Sequence, residues 1–239
     1  MTKLSHRRID SDHHHALVST GTSTTIQLDS FEPRAWGQSA VSVSGSGRGS
    51  AWFVNTASGE QWVLRHYRRG GLPGKLIKDA FLYLGEPSVR SINEYKLLQT
   101  LYARQLPVPK PIAAHYCRTG LVYRAAIIVA RLPGTRSLLT LNDKADRPLW
   151  EAAGQCIRQF HDAGVYHADL NATNVLVNPD SGQVYLIDFD RGALRTASPE
   201  STAWKRANLN RLQRGLVKHW PTNTGSSTPF FDALICGYR

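Results

Sequence analysis

Asp169, Asn174 and Asp188 fall within one short stretch, YHADLNATNVLVNPDSGQVYLIDFD (166–190). Two runs of branched and aromatic residues, NVLV and VYLIDF, flank NPDSGQ, and the pattern predicts a β-hairpin with a Pro-Asp-Ser-Gly turn. A hairpin brings its outer ends together. Asn174, which opens the first strand, and Asp188, which ends the second, are therefore expected to be neighbours, with Asp169 just ahead of them in the loop. One amide oxygen and one carboxylate suit Mg2+, which takes few protein ligands and completes its octahedron with water and phosphate oxygens. Asp169 is then free to accept the proton of an attacking hydroxyl. His167 reads as a brace that holds the loop by hydrogen bonding.

These residues need elements to carry them. AVSVSGSGRGSAWFV (40–54) reads as strand, Gly-rich turn, strand, EQWVLRHY (60–67) as a third strand, and RRGGLPGK (68–75) as a basic loop. SVRSINEYKLLQTLYARQ (88–105) reads as a helix with Ile92, Tyr95, Leu98 and Tyr102 at helical spacing. LPVPKP (106–111) stops it, because Pro cannot continue a helix. LVYRAAIIVARL (121–132) is a buried strand or strand pair, and PGTRSL (133–138) a linker. PLWEAAGQCIRQFHDAG (148–164) is a helix with Leu149, Ala153, Ile157 and Phe160 on one face and Gly164 as its stop. STAWKRANLNRLQRGLVKHW (201–220) is a basic amphipathic helix.

The expected organisation is a flexible amino-terminal tail (1–25), a lobe of sheet plus one helix (26–130), a hinge (131–138) and a carboxy-terminal lobe (139–239). Two lobes with a cleft between them is the natural packing of that order. A chain of 239 residues is long enough for such a core.

The 29 basic residues exceed the 18 acidic ones, for a net charge of +11. That balance points to an anionic partner or a basic solvated surface. The three cysteines, Cys117, Cys156 and Cys236, are far apart and lack metal-ligand spacing, which fits a reducing compartment. His13 to His15 offer only an opportunistic metal site. No secretory leader is read, and the run AAIIVA (125–130) is far too short to span a bilayer.

HADLNATN (167–174) matches the His-x-Asp-Leu-x-x-x-Asn pattern of the kinase catalytic loop, and DFD (188–190) resembles the Asp-Phe-Gly metal motif. GSGRGSAWFV stands where a Gly-rich phosphate loop belongs, VLR where the third-strand Lys belongs, and Glu94 where its ion-pair partner belongs. The ordered set resembles the protein-kinase-like superfamily. The implied fold is α+β and two-lobed, with an abbreviated carboxy-terminal lobe, because only 49 residues follow Asp190. Arg65 replaces the usual Lys, the third Gly of the phosphate loop is absent in the simplest register, and Asn171 stands where a Lys is common in Ser/Thr protein kinases. SPE (198–200) reads as a coincidental match to Ala-Pro-Glu. These departures favour a small-molecule or glycolipid acceptor over a peptide.

GRGSAWF (47–53), VLRHYRRGG (63–71), YLGE (83–86), LPVPKPIAA (106–114), YRAAI (123–127), LIDFDRG (186–192) and TAWKRANLNRL (202–212) resemble the bacterial 3-deoxy-D-manno-octulosonic acid (Kdo) kinases of lipopolysaccharide biosynthesis. The resemblance implies transfer of the ATP γ-phosphate to the 4-hydroxyl of Kdo on a Kdo–lipid A precursor. It implies ATP and Mg2+ as cofactors and Asp169 as catalytic base. Asn174 and Asp188 are then metal ligands. Arg65, Glu94 and the backbone of Gly45, Gly47 and Gly49 are nucleotide-binding. Asp190 has two readings, an ion pair with Arg191 or assistance to the metal.

The expected partner is an anionic glycolipid, met by a monomeric protein in peripheral contact with the cytoplasmic face of the inner membrane. Two basic groups could serve it: Arg68, Arg69, Lys75, Lys78 and Arg90, or Lys205, Arg206, Arg211, Arg214 and Lys218 on the late helix. Singly, each is as readily a solvated cation. A heptose kinase, an antibiotic phosphotransferase, a nucleic-acid-binding module and a pseudokinase scaffold are the competing readings. No recognition-helix, zinc or RNA-sheet signature supports nucleic acid.

Overall fold

The computed structural model describes residues 5–43, 51–68, 79–195, 202–221 and 224–239. The chain forms two units, one of Met1–Ala103 with Lys110–Arg131, the other of Arg104–Pro109 with Leu132–Arg239.

In the first unit, strand alternation sets the sheet. Along QWVLRH, Trp62 and Leu64 are buried on one face while Val63 and Arg65 take the other. The strands are β1 (His6–Asp10), β2 (His14–Ser19), β3 (Ala40–Ser42), β4 (Ala51–Asn55), β5 (Gln61–His66), β6 (Phe81–Leu82), β7 (Pro111–Thr119) and β8 (Val122–Ala130). They form an antiparallel sheet in the order β1-β2-β7-β8-β5-β4-β3, with β6 on β8. Val54, Trp62, Leu64, Ile112, Ala113, Ala126 and Ile128 make one core with Phe31 from a 3-10 segment. Helix α1 (Arg90–Ala103) packs on β7 and β8, burying Ile92, Tyr95, Leu98 and Leu101.

The described part of the first 25 residues, from Ser5 onward, is not the flexible tail that its polar composition suggests. Residues 6–19 form the β1–β2 hairpin, and β2 pairs with β7 through His14↔Cys117 to Val18↔Ala113. Ala16, Leu17 and Val18 are buried, and Ser19 Oγ donates to Pro111 O at 2.7 Å. The reading failed because β1 is an edge strand whose residues are mostly exposed. Such a strand needs charge and no apolar face.

In the second unit, β9 (Arg136–Ser137), β11 (Val175–Val177) and β12 (Val184–Leu186) form a three-stranded sheet, and β10 (Val165–Tyr166) pairs with β13 (Ala193–Leu194). β9 lies within the segment expected to be a hinge, and residues 104–109 join this unit. Among the described residues it also contains the helices α2 (Arg147–Asp162), α3 (Ala203–His219) and α4 (Thr228–Tyr238).

Gly164 ends α2 with φ +76, a conformation that costs Gly little. Helices α2 and α4 meet backbone to backbone. A methyl group at Gly154 would collide with the Leu234 carbonyl, and one at Gly237 with the Glu151 carbonyl. This close approach is why α4 could follow no simple sequence signal: its docking is specified by a Gly on each partner.

Candidate active site

The segment 167–174 runs from β10 into β11, and its shape follows from His167. His167 is buried among protein groups and hydrogen-bonded on both ring nitrogens. Its Nδ1 accepts the Asp169 N–H at 3.2 Å, so Nε2 carries the proton and donates to Ile187 O at 2.9 Å. Burial holds its pKa below the ordinary histidine value, and the nearby carboxylates of Asp188 and Asp169 oppose that shift. A neutral imidazole thus ties the loop before β11 to the residue that follows β12.

The hairpin supplies the second tie. Val175 pairs with Leu186, and Ile187 N–H donates to Asn174 O at 3.0 Å. Asp188, one residue further, adopts φ +62. That left-handed backbone, uncommon outside Gly and tolerated by Asp, sits beside fully buried Phe189, which stacks with Phe160 at 5.7 Å. Asn174 Nδ2 donates to Asp169 O at 3.0 Å. Among the described residues its Oδ1 accepts no hydrogen bond. The amide is therefore turned so that its oxygen is the atom left to bind something else.

Asn174 Oδ1 with the Asp188 carboxylate is a hard-oxygen donor pair of the kind an oxygen-loving divalent cation takes. Among the described residues no group of three or more His, Cys, Asp and Glu side chains could hold a metal. Any ion here would be one that relies on few protein ligands.

Asp169 itself has a fixed backbone and a loose side chain. Its carboxylate is 63% exposed and accepts from Asn171 Nδ2 at 3.2 Å, while Arg211 Nη1 lies 3.9 Å from its Oδ1. Asn171, in the position where a Lys was the familiar residue, also organises the turn. Its Oδ1 accepts Thr173 N–H at 2.9 Å and Asn174 N–H at 3.2 Å.

In the first unit, the Arg65 guanidinium donates through Nη2 to both Glu94 oxygens, at 2.7 and 2.6 Å. Tyr67 Oη also donates to Glu94 Oε2, and the Tyr67 ring lies 4.7 Å from the Arg65 guanidinium carbon. Glu94 is buried. The structure brings together this pair in one unit and Asp169, Asn174 and Asp188 in the other. Gly45, Gly47 and Gly49 lie outside the described residues, as do Arg69, Lys75 and Lys78. Of the late-helix cations, Lys205 is engaged with Asp162 at 3.0 Å.

Sequence reasoning missed Asn208. It lies on the buried stripe of α3 with Trp204, Leu212 and Leu216, and a polar residue at the i+4 spacing of that stripe was the available signal. Asn208 Nδ2 donates to His167 O at 2.9 Å, and its Oδ1 accepts His167 N–H at 3.4 Å and His161 Nε2–H at 3.4 Å. His161 Nδ1 accepts from Tyr238 Oη at 2.7 Å. One chain of donors thus runs from the end of α4 to the loop. Replacing Asn208 with Ala leaves several buried backbone and ring groups unpaired. The expected loss is about 2–4 kcal/mol of stability, read by urea unfolding, with kcat falling at temperatures where the variant is still folded. A variant as stable and active as the parent would show that the loop holds its shape without α3.

The sheet with helix α1 packed on it, and a loop closed by a hairpin, define a protein-kinase-like phosphotransferase. Solved structures agree on the fold. The chain is similar to "WaaP in complex with acyl carrier protein" (TM-score 0.53, 17% identity, 87% of this chain and 81% of that one). It is also similar to an aminoglycoside-3'-phosphotransferase of type VIII (TM-score 0.57, 15% identity, 83% and 84%). Residues 34–232 match the model of the Lipopolysaccharide kinase (Kdo/WaaP) family, and the chain belongs to that family. A 3-deoxy-D-manno-octulosonic acid kinase of Stenotrophomonas maltophilia (strain K279a) is 48% identical over 79% of this chain and 74% of its own length. One of Xylella fastidiosa (strain M12) is 46% identical over 81% and 76%. The chain is a lipopolysaccharide kinase, a phosphotransferase with an alcohol acceptor.

Proposed function

We propose that this kinase transfers the γ-phosphate of ATP to the 4-hydroxyl of Kdo on a Kdo–lipid A precursor. The observation that carries this reading is the high identity, across most of the chain, to kinases named for that sugar acid. The Asp169 loop supplies the chemistry.

Asp169 takes the proton of the sugar hydroxyl as its oxygen bonds to the γ-phosphorus. The bond from that phosphorus to the β–γ bridging oxygen breaks, and ADP leaves. Asn174 Oδ1 and the Asp188 carboxylate would hold Mg2+. When bound, that ion neutralises phosphate charge. Arg65, held in place by Glu94 and Tyr67, offers a planar donor fork to the α- and β-phosphates. His167 moves no proton; both its nitrogens are committed to the backbone. Gly45, Gly47 and Gly49 are assigned to the phosphates as well. The test is mass spectrometry of Kdo–lipid A precursor after incubation with ATP and Mg2+. One added phosphate on Kdo is expected, and an unmodified acceptor with active protein would refute the assignment.

The same reading places the protein peripherally at the cytoplasmic face of the inner membrane, where the acceptor lies. No helix among the described residues is long and apolar enough to cross a membrane. One edge of the first unit supports surface contact instead. Leu82, Leu84, Leu121 and Val122 are 55%, 74%, 73% and 36% exposed, and they are neighbours. Leu82 pairs with Val122, and Tyr83 N–H donates to Leu121 O at 2.9 Å. Arg118, over the Tyr83 ring, borders them, as does Arg124, which is paired with Asp79 at 2.9 Å. Apolar side chains rimmed by cations match an anionic bilayer surface, to which each basic residue adds about 1 kcal/mol. Replacing Leu84 and Leu121 together with Asp is expected to weaken partitioning onto anionic vesicles, read by flotation, by about a hundredfold or more, since two buried Leu side chains are each worth about 1.5–3 kcal/mol. Unchanged flotation would place the contact elsewhere.

A further inference from the structure

Helix α3 runs along the 167–174 loop residue by residue. Asn208 meets His167, Arg211 lies beside Asp169, and a Cβ at Gly215 would sit 3.7 Å from the Asn171 Cβ. These three positions are three and four apart, so they share one side of the helix. The small residue at 215 lets that side approach the loop, and it brings the Arg211 guanidinium to the proposed base. The approach stops short of a bond: 3.9 Å between Nη1 and Oδ1 exceeds a charge-assisted hydrogen bond. Among the described residues the Arg211 guanidinium makes no hydrogen bond. It is half exposed.

A guanidinium closed onto a carboxylate stabilises the charged form, the reverse of what a proton acceptor needs. A guanidinium held near the base but not on it is placed for a second anion, one that arrives with the hydroxyl. Resting on the acceptor proposed above, we propose that Arg211 receives the carboxylate of the sugar acid whose hydroxyl Asp169 deprotonates. In a 3-deoxy-2-ulosonic acid the carboxyl carbon is three carbon–carbon bonds from the carbon bearing the 4-hydroxyl. One molecule can therefore present its hydroxyl to Asp169 and its carboxylate to Arg211, as two groups on one rigid ring. The planar fork of Arg matches a carboxylate in a way that the point charge of Lys does not. Arg211 is then a specificity-determining residue: it selects acidic sugars over neutral ones and sets which hydroxyl reaches the base. Arg214 and Lys218 follow at helical spacing and are also exposed, extending a cationic edge away from the loop toward the rest of an anionic acceptor.

The experiment is steady-state kinetics on two acceptors, the Kdo glycolipid and the same glycolipid with its Kdo carboxylate methyl-esterified, using the parent chain, Arg211→Gln and Arg211→Lys. The parent is expected to prefer the free acid about tenfold to hundredfold in kcat/KM, the range of a bidentate charge-assisted contact. Arg211→Gln should lose about that factor on the acid, leave the ester and the KM for ATP little changed, and so abolish the preference. Arg211→Lys should keep part of it. Equal losses on acid and ester, or a raised KM for ATP, would overturn the assignment and give Arg211 to the base or the phosphates instead. If the parent phosphorylates the acid but Arg211→Gln keeps the preference, the inference fails while the acceptor stands. If the parent phosphorylates neither, both fail.

Discussion

Asp169→Asn is expected to lower kcat by about a hundredfold to ten-thousandfold, the usual contribution of a positioned general base, while the protein folds as before and its KM for ATP holds. The side chain is the right one to test because so little else depends on it. The Asp169 backbone is fixed at both ends: its N–H donates to His167 Nδ1, and its C=O accepts from Asn171 and Asn174. The carboxylate, by contrast, is mostly solvated; among the described residues it accepts a hydrogen bond from Asn171 Nδ2 alone, with Arg211 Nη1 3.9 Å away. An Asn keeps an oxygen that can accept that same N–H and changes the shape of the loop hardly at all. What it cannot do is take a proton from a hydroxyl. Single-turnover phosphorylation of the acceptor, followed beside thermal unfolding, separates chemistry from stability. Turnover within tenfold of the parent would remove Asp169 as the base, and a lowered melting temperature would mean that the loop depended on the charge.

The parts of this site that could be read from the chain are those with short sequence separation. Asn174 and Asp188 are neighbours because a turn of fixed length closes the β11–β12 hairpin, and Gly164 announces the end of α2 by the conformation it alone adopts cheaply. Arg65 and Glu94 required the resemblance to kinases, since nothing local to either residue names the other. What stayed hidden was held by long-range polar contacts. Asn208 reaches His167 across 41 residues and Tyr238 reaches His161 across 77. An Asn in the middle of a basic helix or a Tyr at the end of the chain carries no local mark of such a partner. The β1–β2 hairpin was hidden differently. Its apolar residues are few because one strand is an edge, so composition resembled a solvated tail. Asp188 shows the same limit at the level of the backbone: its hairpin was legible, its positive φ was not, because buried Phe189 and the His167–Ile187 bond impose it from outside the segment.

Mild acid is expected to destabilise this protein well before its carboxylates protonate. His115, in the first unit, is buried against Phe31 and His14, with ring centroids 4.7 and 5.2 Å away. Burial, aided by the charges of His14, His66 and His15, pushes its pKa down to about 3. In the second unit burial likewise pushes His161 down to about 4, against a hydrogen bond to Asn208 that works to raise it. Both folded-state values lie below the unfolded value of 6.5. As pH falls through 6.5 the unfolded chain gains protons that the folded chain refuses, so stability is lost downward from there, until about 4 for His161 and about 3 for His115. Above 6.5 neither histidine contributes a slope. Each costs about 1.4 kcal/mol per pH unit inside its window, or roughly 4 kcal/mol for the pair between pH 7 and pH 5, a large share of an ordinary folding free energy of about 5–15 kcal/mol. Asp10, Glu86 and Asp162 have lowered pKa values, held by hydrogen bonds from His15, Arg8 and Arg158. Their stabilisation is lost only as pH drops below the ordinary carboxylate range, so the two effects separate on the pH axis. Urea midpoints measured from pH 8 to pH 4 should be flat down to about 6.5 and then fall steeply. His161→Gln can still donate to Asn208, and whatever it costs at neutral pH, it should remove the steep limb from the unit that contains it. A midpoint that stays level to pH 5 in the parent would mean that these histidines accept protons in place, and that the donor chain from Tyr238 to the loop survives their charging.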